Sequence, residues 1–163
     1  MDLARFVKTL EQKGMLTKIS KPVDLKYEVS TLMKMLDGHV LLFDQVKGAT
    51  MPIIANVCSS RELVATGLEI PREDLIAKLT DAIDHPKKPR IAEAEDYDEI
   101  DTDFGKLPIL TYYPKDGGPY ISSAIVVAND KEYGINLSYH RAQILGRDEF
   151  VLRILERHFD AYI

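Results

Sequence analysis

Residues 135–143 read INLSYHRAQ and bring an amide, a hydroxyl, an imidazole and a guanidinium into one extended run. Strand alternation puts Asn136, Ser138 and His140 on one face and Tyr139 and Arg141 on the other. A core strand seldom carries so many polar groups, because buried polar atoms need partners. The chemistry open to such a strand is the holding of a phosphate or a metal-phosphate. Arg141 offers a planar fork for an anion, and Asn136 an oxygen suited to a hard cation. A solvent-exposed edge strand accounts for the same residues with no ligand at all. Two more patches flank it. Residues 107–124, LPILTYYPKDGGPYISSA, contain Gly117-Gly118-Pro119, a tight, open backbone whose plain reading is a strand connection. Residues 151–159, VLRILERHF, gather Arg153, Arg157 and His158; alone, His158 reads as a surface histidine. His39 and His85 have no chemical company and read as turn or surface residues.

The elements that must position these patches follow from periodicity. Leu3, Phe6, Val7 and Leu10 keep helical spacing, with Asp2 placed as an N-cap and Gly14 just past the end. A short strand is predicted at 16–19, a helix at 27–36, and buried strands at 40–43 and 51–57. Ser59 or Ser60 caps a short helix from Arg61 that Gly67 can stop. Pro71 suits a first helical turn, after which Leu75, Ile76, Leu79 and Ile83 form one apolar face. His85-Pro86 ends that helix, since a residue before proline resists helical geometry. Seven acids then fall between Glu93 and Asp103. They could serve a metal, but clustered acids more simply make a solvated linker. Beyond them the pattern turns to strands: the unbroken run 121–128, a hairpin at Asn129-Asp130 and Gly134, a strand near 135–141 and another at 150–155. Three strands without intervening helices predict an antiparallel sheet or part of a barrel. Residues 159–163 read as a helix barely begun. The fold class is α+β. The units run 1–90 (N-terminal α+β domain), 91–106 (acidic linker) and 107–163.

Composition limits the function. The chain has 163 residues, 45% hydrophobic and 29% charged, enough for a packed core. A net charge of −5 with dispersed lysines and arginines argues against a nucleic-acid partner or an anionic-membrane surface. Lys87, Lys88 and Arg90 cluster between prolines and read as a solvated loop. No stretch approaches the ~20 apolar residues of a membrane span. The start is too polar for a signal peptide, and the lone Cys58 excludes an internal disulfide, so a cytoplasmic setting is expected. Cys58 follows an apolar run, so a buried or half-buried thiol is expected.

The segments LPILTYYPKDGGPYISSAIVVA, NLSYHRAQILG and RILERHF, in that order, resemble the core signature of UbiD-type carboxy-lyases. The earlier KISKPVDLKYEVSTLM, LLFDQVKG and MPIIANVCSSRELVATGL are similar to that family's N-terminal domain. The resemblance covers nearly the whole chain. It implies that residues 107–163 begin a split β-barrel that binds prenylated FMN, with manganese (Mn2+) at the flavin phosphate and potassium (K+) nearby. It assigns metal binding to Asn136 and His158 and catalysis to Arg141. Cofactor contact falls to Ser138, Tyr139, His140, Arg141, Arg153, Ile154 and Leu155. Spacing around His158 varies by about a residue between subfamilies, so its place is less fixed than that of Asn136 or Arg141.

The implied activity is non-oxidative removal of CO2 from an aromatic or α,β-unsaturated small-molecule carboxylic acid, with the flavin as electron sink. The other reading is a non-catalytic flavin-binding or interaction module. A flavin reductase with a related split barrel lacks the Asn136–Arg141 spacing. The family's third metal ligand, a glutamate, and two catalytic acids lie downstream of the positions matched here. The resemblance therefore implies that the 163 residues alone turn nothing over. They would be a truncated piece of a homo-oligomeric enzyme, one of two chains that complete the site, or a degenerate fragment.

Overall fold

The computed structural model describes residues 1–88, 101–157 and 159–162. The expected linker 91–106 is thus covered only from Asp101, and His158 lies outside the described residues. Helix α1 (Leu3–Gln12) starts where the Asp2 carboxylate accepts the Arg5 amide at 2.7 Å, and it buries Phe6 and Leu10. Gly14, in the left-handed region at φ 67°, turns the chain into β1 (Leu16–Ile19). β1 runs parallel to β2 (Val40–Phe43), and a parallel pair needs a crossover; α2 (Glu28–Met35) supplies it. β3 (Ile53–Ala55) adds an antiparallel edge, so β2 is central in the order β1-β2-β3.

That position explains the unbroken apolar sequence of β2, which is covered on both faces. Leu41 and Phe43 enter one core with Val23, Val29, Val46 and Ala55. Val40 enters the other with Phe6, Leu10 and Leu63. Helix α3 (Arg61–Leu68) is capped by Ser60, whose hydroxyl accepts the Leu63 amide at 3.2 Å. A cap of this kind is worth about 1 kcal/mol.

Two expectations fail here for local reasons, and a third element forms as expected but stays largely uncovered. Gly67 does not stop α3: it lies in the last turn, where a Cβ would sit 3.6 Å from the Phe6 ring, and Glu69 takes the left-handed cap at φ 59°. Cys58 is exposed: β3 ends at Ala55, Val57 still packs on the second core, and Cys58 falls in the turn that leads to the Ser60 cap. Helix α4 (Leu75–Asp84), preceded by a 3-10 turn at Arg72–Asp74, buries Leu75 alone among its apolar stripe; Ile76, Leu79 and Ile83 are exposed.

The second sheet is an antiparallel meander of β4 (Tyr120–Asp130), β5 (Gly134–Ile144) and β6 (Phe150–Leu152). The β4–β5 hairpin turns at residues 131–133, later than Asn129-Asp130. The Asp130 carboxylate accepts the Glu132 and Tyr133 amides, which hold its pKa below the ordinary aspartate value. β6 ends at Leu152, short of the expected 155, and the chain then closes with a 3-10 turn at Asp160–Tyr162.

The two sheets are joined through residues 107–113. Leu110 is buried in the core of the first, while its carbonyl accepts the Tyr120 amide of β4 at 2.9 Å. Thr111 exchanges backbone hydrogen bonds with Leu25 and Tyr27. Tyr27 sits at φ 71°, a conformation costing a bulky residue about 1–3 kcal/mol and kept by such contacts. Ser30 adds a bond from its hydroxyl to the Tyr112 carbonyl at 2.8 Å.

Candidate functional site

The β5 register shows what the sheet does with the polar residues. Asn136, Ser138 and His140 pair across from Ala128, Val126 and Ala124 and share one face. Leu137 and Tyr139 pair with Val127 and Ile125 on the other. On that second face Ile125, Val127, Ile135, Leu137 and Tyr139 are all more than half exposed. The burial is thus inverted relative to an ordinary sheet, with the polar residues on the covered side.

Covering comes from the chain after β6. His140 stacks at a tilt on Phe159, ring centroids 4.9 Å apart. Its Nε2 lies 2.8 Å from the Ser138 hydroxyl and its Nδ1 3.5 Å from the Arg153 carbonyl. The Arg153 carbonyl can only accept, so Nδ1 is the donor in that contact, while Nε2 and the Ser138 hydroxyl share the other. A cleft of about 610 Å³ opens beside this face, lined by Asn136, Ser138, His140, Arg153, Arg157 and Phe159 among others. The Asn136 Nδ2 is buried and has no hydrogen-bond partner among the described residues. A donor left in that condition costs about 1–3 kcal/mol, so a ligand acceptor or an amide turn toward a cation would relieve it.

Arg141 stands at an irregularity. Ile121 pairs with Ala142 and Ala124 with His140, so Ser122 and Ser123 together oppose the single residue Arg141. The unbroken strand expected over 121–128 is therefore bulged, and bulges re-aim side chains beside functional sites. Ahead of the bulge, Tyr120 shares the face of Arg141 and Gln143; beyond it, Ala124 shares the face of His140. A second cleft of about 550 Å³ lies on the Arg141 side, lined by Tyr112, Tyr113, Tyr120, Arg141, Gln143 and Arg153 among others. Ser122, which also lines it, meets the Tyr112 hydroxyl at 2.9 Å. Arg141 and Arg153 line both clefts.

The residues singled out from sequence thus converge on β5 and the segment after β6. Leu155 lines the 610 Å³ cleft, and Arg153–Leu155 follow β6 in irregular backbone instead of forming a strand. Tyr112, Tyr113, Tyr120, Ser122 and Gln143 were not foreseen as lining residues; the one available signal was Gly117-Gly118-Pro119, whose plain reading was a strand connection.

Two family models, both described as 3-octaprenyl-4-hydroxybenzoate carboxy-lyase, match the chain. The N-terminal domain matches residues 7–83, and the Rift-related domain residues 85–163. The chain belongs to the UbiD carboxy-lyase family. Anhydromevalonate phosphate decarboxylase of Methanosarcina mazei is 34% identical over 92% of this chain and 35% of its own length. The counterpart from Methanocaldococcus jannaschii is 35% identical over 82% of the chain and 32% of its own. Among solved structures, an evolved dimeric form of the UbiD-class enzyme HmfF from Pelotomaculum thermopropionicum, in complex with prFMN, superposes with a TM-score of 0.85. It is 35% identical and covers 98% of this chain and 40% of its own. The chain therefore spans about a third of the length of the curated relatives it matches and two fifths of the solved structure. No helix among the described residues is long and apolar enough to cross a membrane.

Proposed function

We propose that these residues form the N-terminal domain and the flavin-holding sheet of a decarboxylase that removes CO2 non-oxidatively from an aromatic or α,β-unsaturated acid. The observation that carries this reading is the placement of Asn136 and Arg141 on opposite faces of β5, with Asn136 lining the 610 Å³ cleft and Arg141 lining both that cleft and the 550 Å³ one. The flavin-bound HmfF, alike over 98% of the chain, supports prenylated FMN as the cofactor. The polar face suits the cofactor's phosphate end: the buried Asn136 amide offers an N–H to a phosphate oxygen or, turned over, an oxygen to Mn2+. Ser138, His140, Arg153 and Leu155 line the same cleft. Tyr139 and Arg141 line it as well, and Ile154 completes the set by resemblance. His158 as second metal ligand, and a nearby K+, rest on the resemblance alone.

When bound, the cofactor supplies the electron sink for cleavage at an sp2 carbon. The chain's own part is to hold and orient. The Arg141 fork binds the substrate carboxylate in a plane, and the tyrosines of the 550 Å³ cleft shield it from water. In this reading the N-terminal unit extends to about residue 90 and the split-barrel unit begins at about 107, after the acidic linker 91–106. The buried Leu110 then serves as the joint. The uncovered face of Ile125, Val127, Ile135, Leu137 and Tyr139 is where the remaining barrel would pack. The complete enzyme is expected to be cytoplasmic and oligomeric.

The test is a panel of aromatic, α,β-unsaturated and phosphorylated unsaturated acids, presented to the complete enzyme loaded with prenylated FMN and manganese. CO2 release from at least one class, with no oxidised product, is the expected result. A fully loaded enzyme that decarboxylates none of them would refute the reading.

A further inference from the structure

Gln143 lies two residues past Arg141 on the same face of β5 and opposite Tyr120, the first residue of β4. Its side-chain amide is used at both ends. Nε2 donates to the Gly117 carbonyl at 3.0 Å, and Oε1 accepts the Tyr120 hydroxyl at 3.0 Å. The backbone closes the same junction, since the Ile144 amide donates to the Pro119 carbonyl at 3.0 Å. A Cβ at position 117 would lie 2.8 Å from the Gln143 Nε2, so a side chain there would push that amide off its two partners. Next to it, Gly118 holds φ 150°, which L side chains rarely adopt.

The loop so fastened is a wall of the cleft that contains Arg141. Tyr113 and Asp116, bound to each other through the Tyr113 amide and the Asp116 carboxylate at 2.9 Å, line that cleft with Gln143 itself. Tyr120, the other partner of Gln143, is bound through its amide to Leu110, which is buried in the first core. One amide thus ties together the glycine loop, the start of β4 and the strand that carries Arg141.

We propose that Gln143 is a positioning residue. It fixes the 113–119 wall against β5 so that the cleft holds one shape around the substrate, and Gly117 is glycine because any Cβ would displace that amide. This rests on the proposed function only for its kinetic consequence; the clamp itself is a statement about the loop.

Gln143→Met keeps the length and loses both hydrogen bonds, and Gly117→Ala attacks the same contact from the loop side. Each is compared with wild type in the complete enzyme by backbone hydrogen exchange and by steady-state decarboxylation. Both variants should speed exchange of the 113–119 amides by about tenfold or more while leaving β2 protected. KM for the acid should rise about tenfold, as for a lost ~1.4 kcal/mol, with kcat within about threefold. In a Gln143→Ala background, Gly117→Ala should add nothing to either readout. Unchanged exchange at 113–119 in both variants overturns the clamp, whether or not the enzyme turns over. So does a full additional effect of Gly117→Ala in the Gln143→Ala background. Faster exchange with unaltered KM overturns the positioning role and leaves the proposed function standing, whereas faster exchange in an enzyme with no turnover faults the proposed function alone.

Discussion

Arg141→Lys in the complete enzyme is expected to lower decarboxylation by roughly 10²-fold or more, the scale for misplacing a group that orients reactants. The charge is kept, so Coulombic attraction for a carboxylate survives. The loss is the planar fork, which fixes two oxygens at once where an ammonium fixes a point. The position suits such a role, because β5 keeps its alternation opposite the Ser122–Ser123 bulge of β4 and Arg141 lines the 550 Å³ cleft. Flavin content after desalting should stay at the wild-type level. Near-normal turnover in Arg141→Lys would remove the orienting role.

Asn136→Ala should act on the other face. Its buried amide lacks a partner within the described residues, so the group it serves is expected to be the cofactor's phosphate end. Losing a hydrogen bond to a charged group, ~1.5–3 kcal/mol, weakens retention roughly 10- to 100-fold. The variant should emerge from desalting depleted in flavin absorbance, with activity partly restored at high manganese. Normal flavin retention in Asn136→Ala would show that the amide holds something else. Measuring flavin content and turnover side by side separates the two residues, since one variant should lose rate and the other cofactor.

How far the fold is legible in the sequence depends on whether local pattern or distant packing decides a residue. VLLF at β2 is legible because a strand covered on both faces has no polar alternation to confuse, and Asp2 and Ser60 are legible because caps are local. Gly67 misleads: its lack of a side chain serves the contact with Phe6, and the left-handed cap passes to Glu69. Periodicity gives α4 an apolar stripe without saying that Ile76, Leu79 and Ile83 stay uncovered.

The site divides in the same way. Parity alone separates Asn136 from Arg141, and the β5 register has that arrangement. The bulge is invisible in a run such as ISSAIVVA, since two serines fit a regular strand as readily as a bulged one. Likewise the Gly117–Gln143 contact joins residues 26 apart, and only the folded hairpin shows why a glycine stands there. The resemblance to the family supplied expected roles for Asn136 and Arg141 that no periodicity contains, and none for Gly117 or Gln143.

On the function proposed above, decarboxylation depends on a prenylated flavin held by β5 and its flanking segments. The most direct test of that claim is CO2 release by the complete enzyme, reconstituted in parallel with prenylated FMN, with unmodified FMN and with no flavin. The acid used is the one the substrate panel identifies. Release with prenylated FMN alone is the predicted result. Equal release with unmodified FMN, or with no flavin at all, would contradict the claim.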